Sequence, residues 1–342
     1  MTSVSEPEAT PESEAAIARA AEGGVHLVPV PTPFAVGRVN CYLLEGDPLT
    51  LIDAGPRSER SLERLEAGIE AAGHKLEDIE LVVATHQHID HIGLIGTVAE
   101  RSDAGVAAID ISVDRLASFT FGSERDDDLA VDLMVRNGVP AEIASALKEV
   151  TASFRDWGSP VTVTQPVPAG GKIRMGSRDY EVFLRPGHSP SDTLFWDPGR
   201  GLMFGGDHLL SHISSNPLIS KPLVGEGVRT RALIDYRKSL ALTKSDPVEL
   251  MLSGHGLPIT EHADLIDKRV ESQDRRTEKI FGLVAEGHSK AHEISEAIWG
   301  NIALTQAYLT LSEVIGHLDI LVEEGRVTVS NDGEFDRFEA VA

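Results

Sequence analysis

Layered β-sheets flanked by helices are the fold class this sequence predicts, and three observations carry it. From Val25 to about Ile259, short β-rich runs alternate with stretches of helical periodicity, as in an α/β domain whose sheets and helices form layers. The apolar run Leu81-Val82-Val83-Ala84 leads straight into Thr85-His86-Gln87-His88-Ile89-Asp90-His91. Three further apolar runs end in glycine and then a metal-ligand type of residue: His188, Asp207 and His255.

A chain of 342 residues suffices for one large domain and a small one, each with a core. No window approaches the run of about eighteen apolar residues that a membrane span needs. Met1 to Glu22 is rich in Glu, Ser, Pro and Ala and lacks a basic start before an apolar stretch. It therefore reads as a disordered acidic tail, residues 1–23, and not as a secretory signal. The single cysteine, Cys41, lies in the apolar run Val39 to Leu44. It is expected to be a small buried hydrophobe, in keeping with a reducing cytoplasm. The formal net charge of −23 opposes long-range attraction to nucleic acid or an anionic membrane.

Strands are predicted at Val25–Val30, Val39–Leu44, Leu49–Ile52, Leu81–Ala84, Val106–Ile109, Tyr180–Leu184, Leu194–Trp196, Leu202–Phe204 and Leu250–Leu252. A helix from Ser58 to Ala72 has Ser58 as its cap and Gly73 as its stop. Residues 112–158 break the rhythm with helical periodicity (Leu129, Leu133, Ile143, Leu147) and scattered aromatics (Phe119, Phe121, Phe154, Trp157). They read as a helical insertion that packs as a subdomain, walls a pocket, or does both. The catalytic-type domain thus spans 24–260. Residues 261–342 follow as a linker helix (Glu261–Glu286), helices at Ala291–Trp299 and Thr305–Glu324, and a hairpin turning at Asn331-Asp332-Gly333. Helices followed by such a hairpin suggest a winged-helix module.

Three imidazoles and a carboxylate in one turn suit zinc, iron or manganese. A strand would alternate them between faces, whereas a strand-to-helix turn can aim them together. His86 and His88 can hold one ion while Asp90 and His91 project toward a neighbouring position. Glycine before His188, Asp207 and His255 permits the sharp turn that a crowded sheet edge demands. Four strand ends therefore converge on one site. Asp53, in Leu51-Ile52-Asp53-Ala54-Gly55, is expected to hydrogen-bond a ligand histidine, and His208 and His212 to orient ligands. His26, His74, His262, His288, His292 and His317 lack this context and read as surface or structural.

Thr85–His91, Pro186-Gly187-His188-Ser189, Gly206-Asp207, Ser253-Gly254-His255-Gly256 and Leu51–Gly55 together resemble the five-motif pattern of the metallo-β-lactamase superfamily over about Val25–Pro258. The resemblance implies an αββα sandwich with a two-metal site at one edge. By motif, His86, His88 and His188 would bind a first divalent ion. Asp90, His91 and His255 would bind a second, and Asp207 would bridge both. Zinc is expected first, with Fe or Mn as alternatives. The tail resembles the winged-helix extension of a LACTB2-like subgroup.

Such a centre implies hydrolysis by a metal-activated hydroxide, with Asp90 and Asp207 as its catalytic carboxylates. The substrate expected is a small thioester, ester or lactone carrying an apolar group. A true β-lactamase is disfavoured by the missing export signal and the bridging Asp207, and glyoxalase II by the tail. The alternative is a LACTB2-type phosphodiesterase or endoribonuclease. Against it, residues 277–342 hold twelve acidic side chains and four basic ones, the opposite of a nucleic-acid reader. The module is expected to pack on the catalytic domain or on a second copy of the chain. A catalytically silent binding protein is the third reading.

Overall fold

The computed structural model describes residues 7–225 and 227–341. Two sheets stack face to face. The first has six strands in the order β1 (Val25–Val30), β2 (Val39–Leu44), β3 (Thr50–Ile52), β4 (Leu81–Val83), β5 (Gly105–Ile109) and β6 (Gln165–Val167). The second has five strands: β7 (Lys172–Met175), β8 (Arg178–Leu184), β9 (Thr193–Asp197), β10 (Leu202–Gly206) and β11 (Leu250–Ser253), ordered β11-β10-β9-β8-β7. Parallel pairing joins β3 to β4, β4 to β5 and β10 to β11. Parallel neighbours point their C-terminal ends the same way, which gathers the loops after β3, β4 and β10 at one edge.

The inner faces bury Tyr42, Ile52, Val83 and Ile109 against Tyr180, Val182, Phe195, Phe204 and Leu252. Helix Glu59–Ala71 and the helical turns Ile89–Ile92 and Ile95–Ser102 cover the outer face of the six-stranded sheet through Leu65, Ile69, Ile92, Ile95 and Val98. Helices Ala232–Ser245 and His262–Ala285 cover the other sheet through Leu233, Tyr236, Leu240 and Ile266. The result is the expected αββα sandwich. Ser58 caps its helix by accepting the Ser61 N–H at 3.0 Å, and Gly73 follows with φ +88°.

The N-terminal expectation needs correction. Residues 1–6 lie outside the described residues, but Pro11–Glu22 is a helix, opened by a capping box between Thr10 and Ser13. Ala16 and Ala20 are buried against the inner core, and Arg200 Nη1 donates to the Gly23 carbonyl at 2.8 Å. A composition dominated by Glu, Ser, Pro and Ala reads as disorder, yet Ala16 and Ala20 form a buried helical face, and alanine is the strongest helix former.

The insertion forms helices Val113–Ala117, Phe119–Arg136 and Ala141–Ser153. Beyond helix His262–Ala285 come helices Ala291–Trp299, Ile302–Thr305 and Ala307–Glu323, then the hairpin β12 (Val327–Asn331) and β13 (Asp336–Ala340). Insertion and C-terminal segment share one core, in which Leu129, Leu133 and Met134 pack with Ile280, Ile294, Leu311, Leu318 and Phe338. No helix among the described residues is long and apolar enough to cross a membrane.

Candidate metal centre

At the gathered edge, β3 ends in Asp53, a non-glycine residue with φ +55°. That left-handed backbone is unfavourable for a residue with a Cβ, and three hydrogen bonds offset it. Asp53 Oδ1 accepts the Thr85 N–H at 2.9 Å, and its Oδ2 accepts the Thr85 hydroxyl at 2.8 Å and His91 Nδ1 at 2.7 Å. The expected bond from Asp53 to a ligand histidine is thus present. Because Thr85 gives its proton to Asp53, its oxygen is free to accept His86 Nδ1–H at 3.0 Å. His88 then stands at the N-terminal cap position of the turn Ile89–Ile92, without a side-chain capping bond, and Asp90 and His91 follow within the turn.

Across the sandwich, β8 delivers His188, β10 delivers Asp207 and β11 delivers His255. Glycine is demanded at two of these ends. A Cβ on Gly187 would lie 2.4 Å from Tyr236 Cα, and one on Gly254 would lie 2.3 Å from Asp207 Oδ1. His188 Nδ1–H donates to the Asn216 carbonyl at 3.0 Å, and His255 Nδ1–H to the Arg38 carbonyl at 2.7 Å. A carbonyl can only accept, so in the neutral ring each contact makes Nε2 the lone-pair nitrogen, facing inward.

The structure brings all seven predicted site residues together. The coordinating atoms of His86, His88 and His188 lie within 4.8 Å of one another, as do those of His86, His91 and Asp207, and of Asp90, His91 and His255. In the first set His86 Nε2 and His188 Nε2 stand 3.0 and 2.9 Å from His88 Nδ1. Around a tetrahedral ion with bonds of about 2.0–2.1 Å, nitrogens stand roughly 3.3 Å apart. Three imidazole nitrogens that face one another therefore need only a small expansion to fit a cation. In the second set His255 Nε2 is 3.4 Å from both Asp90 Oδ2 and Asp207 Oδ2, and His91 Nε2 is 3.4 Å from Asp207 Oδ1. His91 Nε2, His255 Nε2 and Asp207 Oδ1 are buried and have no hydrogen-bond partner among the described residues. A cation would satisfy all three.

The two sets differ electrostatically. Burial and the neighbouring imidazoles hold His86 well below the usual range and His88 at about 3, so both are neutral lone-pair donors. Burial opposes charge on His91 and His255 as well, but carboxylates win there. Asp207 and Asp53 hold His91 well above the usual range, and Asp207 with Asp90 pushes His255 up to about 10. The same contacts override burial to keep Asp90 at about 2 and Asp207 well below the usual carboxylate range. The second set is thus a site of unbalanced negative potential. His88 and His188 retain partial exposure while the other five are buried, so the cluster opens to solvent on the first set's side.

His208 does not serve a ligand. Its Nε2 meets Thr243 Oγ1 at 3.0 Å and its carbonyl accepts the Tyr236 hydroxyl. His212 lies over Gly256, where a Cβ would sit 2.5 Å from its Nδ1. Sequence reasoning missed Thr85 and the Asn216 and Arg38 carbonyls. Thr85 was detectable as a hydroxyl flanking the motif; the carbonyls carry no side-chain signature. It also missed Gln87, whose buried amide oxygen accepts the Ser191 hydroxyl and ties the turn to the His188 loop.

Imidazoles and carboxylates gathered at the edge of an αββα sandwich define a class: a metal-dependent hydrolase. A model of the metallo-beta-lactamase superfamily matches residues 35–255, and the chain belongs to that superfamily. It is 35% identical over 301 residues to the probable metallo-hydrolase YqjP of Bacillus subtilis (strain 168), covering 87% of this chain and 92% of that protein. More distantly, it is 22% identical to the beta-lactamase-like protein 2 homolog of Caenorhabditis elegans, covering 75% of this chain and 68% of that one. The fold is similar to that of a metallo-beta-lactamase family protein from Thermus thermophilus. That comparison has a TM-score of 0.78 at 23% identity and covers 93% of this chain and 99% of the other.

Proposed function

We propose that this chain is a dinuclear hydrolase of small thioesters, esters or lactones that carry an apolar group. His86, His88 and His188 would hold one divalent ion, and Asp90, His91 and His255 the other, with Asp207 shared. The observation that carries the reading is the place of Asp207 between the sets: its Oδ2 is 3.6 Å from His188 Nε2 and 3.4 Å from His255 Nε2. The imidazole and carboxylate donors suit zinc first, with iron or manganese as alternatives. When bound, such a pair supplies Lewis acidity and activates water near neutral pH.

The protein's own contribution is orientation. The Asp53–Thr85–His86 chain, the Asp53–His91 contact and the two carbonyls fix every inward-facing nitrogen except that of His88. Asp90 and Asp207 supply the negative charge that orients an attacking water. Apolar groups beside the cluster favour a substrate with an apolar part. Phe34 and Phe154 rings pack 5.6 Å apart, and Phe34 lies four residues before the carbonyl that holds His255. The insertion's last turn meets the metal-ligand turn, since a Cβ on Gly158 would lie 2.9 Å from Ile89 Cγ2. No general acid stands out, which suits a thiolate or enolate-like leaving group that needs none.

Phosphodiester cleavage is the second reading, favoured by the helix-and-hairpin segment at the C-terminus, which we read as a winged-helix module with a packing role. Of the four cations in residues 277–342, three are engaged internally: Lys290 with Glu293, Arg326 with Glu278, and Arg337 with Asp332. Little positive surface remains for a phosphate backbone. A metal-quantified preparation assayed against acyl thioesters, lactones and bis-aryl phosphodiesters tests the choice. Two ions per chain and faster turnover of the carbonyl substrates are expected. Faster phosphodiester cleavage would reverse the order of the two readings, and bound metal with no turnover would leave a binding protein.

A further inference from the structure

The histidines of the first set are not supported alike. His86 and His88 sit in a turn held by its own neighbours, whereas His188 depends on the Asn216 carbonyl at 3.0 Å. Asn216 lies in the irregular segment between β10 and helix Ala232–Ser245, so no ladder or helix fixes that carbonyl.

What fixes it comes from the C-terminal segment. Ile213 and Ile219, each three residues from Asn216, are both anchored there. Arg269, on helix His262–Ala285, directs Nη2 at the carbonyls of Ile213 (2.9 Å), Leu210 (3.1 Å) and Ser211 (3.4 Å). Among the described residues it makes no ion pair, and burial pushes its pKa down. A half-buried guanidinium with carbonyls as its only hydrogen-bond acceptors organises a loop. On the other side, the Tyr308 hydroxyl donates to the Ile219 carbonyl, and the Ile219 N–H donates to Ser312 Oγ at 3.4 Å. The Ile219 side chain is buried in the core shared by insertion and C-terminal helices. Asn216 itself donates its amide to the Leu309 carbonyl at 3.4 Å. Further along the same segment, Arg229 forms a two-pronged pair with Asp319 at 2.7 Å for each bond.

We propose that the C-terminal segment is an external brace of the first metal site: Arg269, Tyr308 and Ser312 are positioning residues that set the Asn216 carbonyl and, through it, the ring of His188. The inference rests on the reading that His86, His88 and His188 hold an ion. Its consequence is that part of the metal affinity is built by residues with no ligand atom of their own. Partners of metal-ligating histidines typically alter affinity by about 10–100-fold when removed.

The test is titration of the metal-stripped full-length chain with Co2+ or Zn2+ against a chromophoric chelator. His188→Ala and His255→Ala mark which binding step belongs to which site. Arg269→Met is expected to weaken the step that His188→Ala abolishes by about 10-fold or more, leaving the His255 step within twofold. Arg269→Lys, which can reach one carbonyl, should recover part of the loss. Tyr308→Phe, a milder change, should weaken the same step by a smaller factor, and it decides the question if Arg269→Met does not fold. The brace is refuted if folded variants titrate as wild type, or if the weakened step is the one His255→Ala removes. A wild-type chain that takes up no ion sinks the metal-centre reading and the brace together. Two ions bound equally well by wild type and variants sinks the brace alone.

Discussion

The turn Thr85–His91 and the segment that follows Asp207 both serve the same cluster, but they are built in opposite ways. The turn is stabilised from within its own sheet: Asp53, at the end of the adjacent parallel strand, bonds Thr85 twice and His91 once. The segment after Asp207 has no regular structure at Asn216, and its shape is imposed by Arg269 on the sandwich's outer helix and by Tyr308 and Ser312 from beyond the sandwich. A dense ligand motif can be organised by one neighbouring carboxylate. An isolated candidate ligand such as His188 needs a scaffold assembled from distant sequence.

The largest expected effect breaks what the two regions share. Asp207→Ala removes the carboxylate that faces both sets and should lower metal content and cut turnover by more than about a hundredfold. Retention of two ions with full activity would show that the sets act independently. Next, Asp53→Ala attacks the local side alone. It strips the acceptor from three buried donors and should cost on the order of 3–5 kcal/mol, read as a lower urea midpoint, together with weaker binding at the His91 site. A smaller loss would mean that the turn is held by its ligands and not by Asp53. Gly254→Ala places a Cβ 2.3 Å from Asp207 Oδ1 and 2.7 Å from His91 Cε1. About 1–3 kcal/mol of destabilisation is expected from such overpacking, and a variant with unchanged stability and metal content would show that the edge can yield.

The opposed charge states of the two sets sharpen the comparison further. In the metal-free chain His255, at about 10, and His91, well above its usual range, carry protons at pH 7. Ions entering the second set must displace those protons, so affinity there rises with pH up to about 10, while His86, held well below its usual range, and His88, at about 3, release none. Calorimetric titration in buffers of different ionisation enthalpy separates the two steps. Folding stability follows the same signs. His255 is raised above its ordinary 6.5, so its contribution is complete below about 6.5 and is lost as pH rises toward 10. His86 and His88 are depressed, so the unfolded chain binds more protons below about 6.5 and acid destabilises. The metal-free chain should be most stable near neutrality, and a urea midpoint rising steadily from pH 7 to 10 would contradict this. The smallest effect serves as a control: Arg326→Ala breaks a largely exposed pair with Glu278 and should cost less than about 1 kcal/mol without moving either metal affinity. A changed affinity would point to general loosening of the C-terminal segment instead of a directed brace.

Much of the candidate centre was legible in the chain itself, because each of the seven residues is a chemically distinctive side chain at the end of an apolar run, after a turn or glycine. The Asp53 bond, the Ser58 cap and the hairpin turn, where the Gly333 N–H donates to Asn331 Oδ1, depend on neighbours within a few residues or on an adjacent strand end. Less legible were the helix Pro11–Glu22, whose alanines disguise its buried face, and the strands β6 and β7, which at three and four residues are too short for a period to stand out. Nothing local marked His208 as turned away from the cluster.

The amino-acid order alone determined which donors exist, which strand ends carry them and how strongly acidic the chain is. Only the tertiary structure decided that insertion and C-terminal helices share one core, and that the carbonyls of Asn216 and Arg38 face His188 and His255. The physical reason is that every residue but proline carries the same backbone donor and acceptor. A side chain is written in its letter, whereas a carbonyl gains a role only from where folding aims it.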